Sequence, residues 1–250
     1  MKIDILGSKV NLSNMEIFIQ KIDNWISNNK YYNRYVCVCN VHMVMEGFDD
    51  KHFNNLINNA DYVVPDGKPL VWVQKLNGYK SAKQVRGSDL THSLCKLSEK
   101  RGYKVGFYGG TENVLKLVYD KMATYYPELD IEYVYSPPFR TLTEIENEKI
   151  IDEINNNNLN ILFVALGCPK QEIWMNEHSS KLKCISIGVG AAFDFISGNK
   201  IESPKWLSAI GLEWLLRLCS EPKRLFSRYF KHNSRFIYYF LVDLIKKKNI

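Results

Sequence analysis

Short apolar segments that stop at asparagine, aspartate or glycine recur along roughly the first two hundred residues of this chain. Residues 160–166 are the clearest case, because a continuous apolar run of this length is typical of a strand buried on both faces of a sheet. Apolar residues in the intervening segments recur at helical spacing. Strands that alternate with helices need crossover connections, so the chain is predicted to form an α/β fold with a largely parallel, Rossmann-like sheet and helices on both faces.

The predicted elements follow one another in a regular order. Strands are predicted at residues 35–40, 60–67, 104–108, 130–135, 160–166 and 183–188, and helices at residues 42–59, 68–76, 88–100 and 143–157 and after Thr111 and Gln171. Ser88 and Asp89 are residue types that cap the third of these helices. A chain of 250 residues can bury a sizeable core as one large domain with an appendage.

The strand signals stop after Ser203 and Pro204, which predicts an α/β catalytic domain over residues 1–203 and a helical appendage over residues 204–250. Residues 205–250 carry ten basic and three acidic side chains, so the preceding domain is close to neutral in a protein of formal net charge +6. Such asymmetry indicates an anionic partner. The appendage is also rich in Trp, Tyr, Phe and Leu, which favours a membrane over a nucleic acid as its anionic partner. A helical subdomain that packs on the core and exposes its cationic face to solvent is an equally weighted alternative.

Several classes of protein are disfavoured by what the sequence lacks. The segment after Met1 has no long apolar stretch, so no secretory signal is predicted, and no run approaches the roughly 20 apolar residues of a spanning helix. The six cysteines are scattered through apolar stretches and are predicted to be buried thiols in a reducing compartment. The five histidines form no metal spacing and there is no Asp-x-Asp motif, so no metal site is predicted.

Ligands of open parallel sheets bind outside the carboxyl ends of the strands. Asp66 follows one predicted strand within Pro-Asp-Gly, where it is either a local turn acceptor or a general base. Gln171 is suited to bind a sugar or an amide, or to begin a helix, and Asp194 to bind a ligand or to cap a loop. The segment from Gly188 departs from the dinucleotide fingerprint because Phe193 occupies its third glycine position, and no Walker motif occurs.

These features together resemble the WecG/TagA/CpsF glycosyltransferases, glycosyltransferase family 26, over residues 36–229. The segments that carry the resemblance are residues 60–67 (ADYVVPDG), 87–90 (GSDL), 109–110 (GG), 167–174 (GCPKQEIW), 188–194 (GVGAAFD), 211–218 (GLEWLLRL) and 221–224 (EPKR). Their order and spacing, more than any one of them, are specific to the family.

The resemblance implies an inverting, metal-independent transferase that needs no cofactor. It would move an N-acetylhexosamine, typically N-acetylmannosamine or its uronic acid, from a UDP-sugar to an N-acetylglucosamine on a polyprenyl diphosphate. Such enzymes act on the inner face of the cell membrane, as peripheral proteins facing the cytoplasm, in the synthesis of teichoic acid, capsule or other surface polysaccharides. The resemblance also allows a homo-oligomer, and it implies no nucleic-acid partner.

The resemblance assigns roles to individual residues of this chain. Asp66 matches the proposed catalytic base. The residues expected to bind substrate are Asn40, Arg86, Gly109, Gly110, Gln171, Gly188, Gly190 and Asp194. The residues expected to meet the lipid diphosphate or the membrane are Arg217, Arg224 and Arg228.

Three positions depart from the family pattern. Val38 replaces an expected threonine, Gln84 an expected arginine and Glu202 another arginine, the last with reversal of charge. These departures weaken any prediction of the sugar and keep two alternatives open: another donor such as UDP-glucose, and a catalytically impaired protein that still binds a nucleotide sugar or a membrane. A third alternative, nucleic-acid binding by the basic appendage, is disfavoured by the apolar content of that appendage.

Overall fold

A computed structural model describes residues 1–204, 207 and 211–248 of the chain, without the side chains of residues 224, 227, 228 and 246–248. Among the described residues the strands are β1 (Lys2–Ile5), β2 (Ser8–Asn11), β3 (Arg34–Cys39), β4 (Tyr62–Pro65), β5 (Val105–Gly109), β6 (Ile131–Tyr135), β7 (Ile161–Ala165) and β8 (Ile185–Gly188). The helices are α1 (Met15–Ser27), α2 (Val41–Asp49), α3 (Lys51–Asn59), α4 (Lys68–Leu76), α5 (Gly87–Arg101), α6 (Glu112–Tyr125), α7 (Glu144–Asn156), α8 (Lys170–His178), α9 (Ala192–Ser197), α10 (Glu213–Ser220) and α11 (Pro222–Lys248).

Within the described residues, six strands form one sheet in the order β4-β3-β8-β7-β5-β6, and every neighbouring pair is parallel. Successive residues of β3 point to opposite faces of this sheet. Cys37 and Cys39 pack with α2, α3, α7 and α8, whereas Val36 and Val38 pack with α1, α5, α6 and α9. The predicted α/β class with helices on both faces is therefore confirmed.

The sheet positions a cleft at the carboxyl ends of the neighbouring strands β3 and β8. The helices that follow these two strands pack on opposite faces of the sheet. Helix α2 follows β3 and packs on one face, and α9 follows β8 and packs on the other. Where connections diverge in this way, a crevice opens beyond the carboxyl ends of the strands.

Two sequence predictions need correction, and one element was missed. The helix predicted for residues 42–59 is two helices, because the side chain of Asp50 accepts a hydrogen bond from the backbone N–H of His52 and starts α3 there. Ser88 and Asp89 do not cap α5; they lie in its first turn, after Arg86 at the N-cap position. The hairpin β1–β2 was not predicted; it lies beside β4, where the side chain of Asn11 accepts from the backbone N–H of Val63 at 2.8 Å.

The C-terminal helices return to the body of the fold. Helix α11 packs against α2, and Phe236 on α11 is buried among residues of α2, α3 and α8. Within the described part of the chain, no helix has both the length and the hydropathy needed to cross a membrane. Four cysteines are buried as predicted, Cys168 is half-buried and Cys219 is exposed.

Candidate active site

A cleft of about 530 Å³ lies beyond the carboxyl ends of β3, β4, β7 and β8. A cavity of this size is typical of a small-molecule site. Its walls come from two parts of the chain. Asn40, Asp66, Gly110, Gln171, Gly190 and Asp194 line it from the strand ends, and Glu213, Trp214, Arg217, Glu221, Leu225, Tyr229, His232 and Asn233 line it from the C-terminal helices. The structure thus brings most of the residues predicted for the site to one place.

Asp66 lies at the point where β4 gives way to α4. Its backbone N–H donates to the carbonyl of Cys39 at 2.6 Å, which ties the end of β4 to the end of β3. Gly67 has a φ of 103°, a backbone conformation that side chains with a Cβ rarely adopt, so glycine lets the chain turn directly into α4. This turn leaves the carboxyl group of Asp66 in the wall of the cleft.

The surroundings of Asp66 make it a stronger base than an ordinary aspartate. Burial raises its pKa to about 6, and the nearby carboxylate of Glu213 acts in the same direction. The cations of Arg217 and Arg86 and a hydrogen bond from Gln84 oppose the shift. The side-chain amide of Gln84 donates to Asp66 Oδ1 at 3.2 Å. Asp66 is therefore ionised at neutral pH and able to accept a proton from a hydroxyl group.

Arg86, which was predicted to bind substrate, is almost fully buried among carboxylates. Its guanidinium pairs with Glu202 and lies 3.8 Å from Glu213 and 3.7 Å from Asp89. The hydroxyl of Ser88 donates to the same oxygen of Glu202. The charge at position 202, reversed from the family pattern, thus offsets the charge of Arg86.

Gln171, also predicted to bind substrate, uses its amide inside the protein. Its Oε1 accepts from the backbone N–H of Gly190 at 3.0 Å, and its Nε2 donates to Glu172 at 2.6 Å. Glu172 is fully buried, which raises its pKa to about 7 although the bond from Gln171 opposes the shift. The pair therefore fixes the loop that follows β8 at the floor of the cleft.

The four glycines predicted to bind substrate divide into two pairs. Gly110 and Gly190 line the cleft. Gly109 and Gly188 lie beneath the lining: a Cβ on Gly109 would come within 2.7 Å of the backbone of Ala165, and one on Gly188 within 2.9 Å of the Gln171 amide. Packing within the protein leaves no space for a side chain at Gly109 or Gly188.

Asn40 and Asp194 both line the cleft and both have partners within the protein. The side chain of Asn40 accepts from the backbone N–H of Met43 at 3.1 Å and caps α2. Asp194 lies 2.8 Å from the ammonium of Lys200, which also approaches Glu221 on the C-terminal side at 3.5 Å. Lys200 therefore links the loop region after β8 to the C-terminal helices.

Arg217 lies in the cleft wall, as its predicted role requires. Its guanidinium stacks over the ring of Phe195 at 4.6 Å and pairs with Glu213 one turn earlier on α10. The side chains of Arg224 and Arg228 lie outside the described residues, so their predicted roles stay predictions.

No role for Glu213, Lys200 or Gln84 in this cleft was predicted from the sequence. Glu213 lies within residues 211–218, one of the segments that carry the family resemblance. That position is the only sequence signal that could have predicted a role for Glu213. A second set of side chains, from α2 and α11, also meets at the cleft although the histidine spacing predicted no metal site: His42, Glu46 and His232.

Sequence comparison finds known proteins that match most of the chain. The sequence model of the glycosyl transferase WecG/TagA/CpsF family matches residues 3–250. An enzyme of Bacillus subtilis (strain 168) is 27% identical over 216 residues, which cover 85% of this chain and 81% of that protein. One of Staphylococcus aureus (strain MW2) is 24% identical over 225 residues, which cover 90% of this chain and 87% of that protein.

Both relatives are named N-acetylglucosaminyldiphosphoundecaprenol N-acetyl-beta-D-mannosaminyltransferase. The family match extends over nearly the whole chain, including the strand ends and the C-terminal helices that together form the cleft. The chain therefore belongs to the WecG/TagA/CpsF family of glycosyltransferases.

Proposed function

We propose that this glycosyltransferase moves N-acetylmannosamine or its uronic acid from UDP to an N-acetylglucosamine carried on a polyprenyl diphosphate. The transfer proceeds with inversion and without a catalytic metal ion, and it serves the synthesis of teichoic acid or another surface polysaccharide. The names of the two relatives specify transfer of N-acetylmannosamine to N-acetylglucosaminyldiphosphoundecaprenol. The observation that carries the proposal is the position of Asp66, a carboxylate of raised pKa in the wall of a cleft that also receives the C-terminal helices.

In this mechanism Asp66 acts on the acceptor hydroxyl. Its carboxylate accepts the hydroxyl proton while the acceptor oxygen forms a bond to the anomeric carbon of the donor sugar. The bond between that carbon and the UDP oxygen breaks on the opposite side, and UDP leaves with the electron pair. A single displacement of this kind inverts the anomeric carbon.

The departing diphosphate carries negative charge that the protein has to offset. Arg217 lines the cleft from α10, and Gly110 and Gly190 line it from the strand ends. Arg217 is held by Glu213 and Phe195. In this proposal a bound diphosphate competes with Glu213 for the same guanidinium.

The C-terminal helix supplies a surface that fits a lipid bilayer. Phe226, Phe230, Ile237, Leu241 and Ile245 are all more than half exposed. At 100° per residue their positions fall within an arc of about 100° on α11, so they form one apolar stripe. Lys223 and Lys231 are exposed on the same helix and are suited to meet anionic headgroups. We propose that this surface docks the enzyme peripherally on the inner face of the cell membrane.

A protein that has lost catalysis but still binds a nucleotide sugar is the second candidate. One observation favours it: Gln84 and Glu202, two departures from the family pattern, contact Asp66 and Arg86 directly. Gln84 brings no positive charge to Asp66, and Glu202 occupies the guanidinium of Arg86. Transfer activity separates the two candidates.

The test is UDP release by purified protein with UDP-N-acetylmannosamine, its uronic acid, UDP-N-acetylglucosamine and UDP-glucose in turn. The acceptor is a short-chain polyprenyl-diphosphate N-acetylglucosamine, and EDTA is present. We expect acceptor-dependent release from one mannosamine-type donor and a β-linked product by NMR if that donor is α-linked. Asp66→Asn should lower turnover by at least about 100-fold, because it removes the general base.

Asp120→Asn is the matched control, since Asp120 is an exposed aspartate on α6 outside the cleft. It should keep the activity of the natural sequence. Release from UDP-glucose alone would replace the proposed donor and keep the mechanism. Folded protein that binds a UDP-sugar but releases no UDP from any donor would favour the second candidate.

A further inference from the structure

The packing of α11 on α2 is made by specific contacts along a seam. Arg235 donates to both carboxylate oxygens of Asp49, at 2.5 and 2.8 Å. One turn further along α11, the ring of Tyr239 lies 4.6 Å from the ring of Phe48. Phe236, between them, is buried in the core. The seam therefore fixes the position of α11 on the body of the fold.

At the cleft end of this seam, two histidines and a glutamate come together. His42 and Glu46 lie one turn apart on α2, and His232 faces them from α11. Glu46 Oε1 is 3.6 Å from His42 Nδ1 and 3.4 Å from His232 Nε2. One ligand atom from each residue lies within 4.8 Å of the others. His232 is almost fully buried, so the cluster is held in place by the packing of both helices.

The spacing and chemistry of these atoms suit a transition-metal ion. Four ligands around zinc, at bonds of about 2.0–2.1 Å, are separated by about 3.4 Å in a tetrahedron. The two separations from Glu46 are close to that value, whereas the separations within the cluster extend to 4.8 Å, so the widest has to shorten when the ion binds. Imidazole nitrogen and carboxylate oxygen are ordinary zinc ligands, and two histidines with one glutamate leave a fourth position for water. Both histidines line the cleft, from which water can enter.

We propose that His42, Glu46 and His232 bind a divalent transition-metal ion, with zinc as the best fit, and that this ion joins the C-terminal helix to α2. The ion's role is structural. It fixes α11 where Leu225, Tyr229 and Asn233 of that helix form one wall of the cleft. Proton transfer at Asp66 and departure of UDP do not pass through it, and the contacts of Arg235 with Asp49 and of Phe236 with the core hold α11 in EDTA as well. The transfer proposed above therefore does not depend on the ion.

Direct metal binding tests the proposal. Protein treated with EDTA and dialysed is titrated with ZnCl2 by calorimetry, in a Cys219→Ser background because Cys219 is exposed and a thiol competes for zinc. We expect one ion per chain with a submicromolar dissociation constant. Glu46→Gln and His232→Ala should each weaken binding at least about 100-fold, since each removes one of three protein ligands. The glutamine variant keeps the size of the side chain.

Two further readouts separate this site from surface binding. Co2+ in place of Zn2+ should give the intense visible bands of a tetrahedral site, and these should be absent in His232→Ala. Zinc should also raise the melting temperature of the natural sequence and leave that of His232→Ala unchanged, because only a ligand of the folded state stabilises it. His52→Ala is the matched control, since His52 is exposed on α3; it should bind zinc normally.

Binding that is absent, weaker than about 10 μM, or equal in the natural sequence and in the His232→Ala and Glu46→Gln variants would overturn the proposal. The three residues would then form a hydrogen-bonded bridge between two helices and no metal site. These measurements use no sugar donor, so their outcome is distinct from success or failure of the proposed transfer.

Discussion

At the scale of single residues, Asp66 shows how a common turn motif acquires chemical significance. Pro-Asp-Gly occurs in many turns, where the carboxylate is only a local acceptor. Here the same carboxylate lines a cleft beside Glu213, and burial together with that neighbouring acid raises its pKa. The residues next to Asp66 in the sequence predict neither its burial nor its approach to Glu213, because both depend on segments far along the chain.

The raised pKa of Asp66 predicts a pH dependence of stability and of activity. The folded protein binds this proton with a pKa of about 6, against 3.8 for an ordinary aspartate. The contribution of Asp66 to the free energy of unfolding is therefore greatest below pH 4, falls as pH rises towards 6 and stays low above it. Turnover should follow the opposite course and rise with pH through about 6, because only the carboxylate accepts a proton.

Asp66→Asn isolates this contribution, since asparagine keeps an acceptor for the Gln84 amide but carries no charge. The variant should be more stable than the natural sequence at pH 8, by a few kcal/mol at most, since one pKa unit corresponds to about 1.4 kcal/mol. The difference should vanish at pH 4. Thermal melts at both pH values provide the measurement, and a less stable variant at pH 8 would contradict the account.

At the scale of secondary-structure elements, α11 has two different faces. Leu225, His232 and Phe236 point inward and are buried, whereas an apolar stripe that includes Phe230 and Ile237 is exposed to solvent. Composition alone weighed core packing equally with membrane docking for the C-terminal segment. The structure shows core packing on one side of the helix and leaves the other side to a proposed membrane contact.

The stripe can be tested by charge. Phe230→Glu combined with Ile237→Glu should weaken binding to phosphatidylglycerol-containing vesicles at least about tenfold, because burying each apolar side chain is worth about 1.5–3 kcal/mol. Vesicle flotation with purified protein measures the bound fraction. UDP release with a water-soluble acceptor analogue should change little, since neither side chain lines the cleft.

Ile145→Glu is the control for that experiment. Ile145 is strongly exposed on α7, outside the stripe, so its substitution adds a charge without touching α11. A loss of vesicle binding per added glutamate as large in this control as in the double variant would assign the effect to net charge and not to the stripe.

At the scale of the whole molecule, the cleft belongs to two parts of the chain. The strand ends supply Asp66 and the loop held by Gln171, and the C-terminal helices supply Glu213 and Arg217. The division into a catalytic domain of residues 1–203 and an appendage of residues 204–250 stays a prediction. The structure adds that Phe236 and Leu225 of the appendage are buried.

Truncation after Ser203 should therefore have two effects. Transfer should be abolished, because Arg217 and one wall of the cleft are removed. The α/β body should stay folded by circular dichroism but melt at a lower temperature, since the contacts of Phe236 with the core are lost. Unchanged turnover of the truncated protein would show that the C-terminal helices do not complete the site.

The sequence by itself determined the local elements and the family. Continuous apolar runs such as residues 160–166 specify buried strands whatever lies beside them, and the motifs match the family in order and spacing. The hairpin β1–β2 carries no such run: Lys2 and Asp4 interrupt its first strand, and Val10 is the only large apolar residue of its second.

The tertiary structure alone decided which side chains meet. Arg86 lines the cleft, and packing surrounds it with carboxylates from distant segments, Glu202 and Glu213; its predicted role in binding substrate stays a prediction. His42 and His232 approach each other only because α11 folds back on α2. The physical reason is that periodicity reports the face on which a residue lies, whereas a site depends on charges and distances between segments that only the packed fold brings into contact.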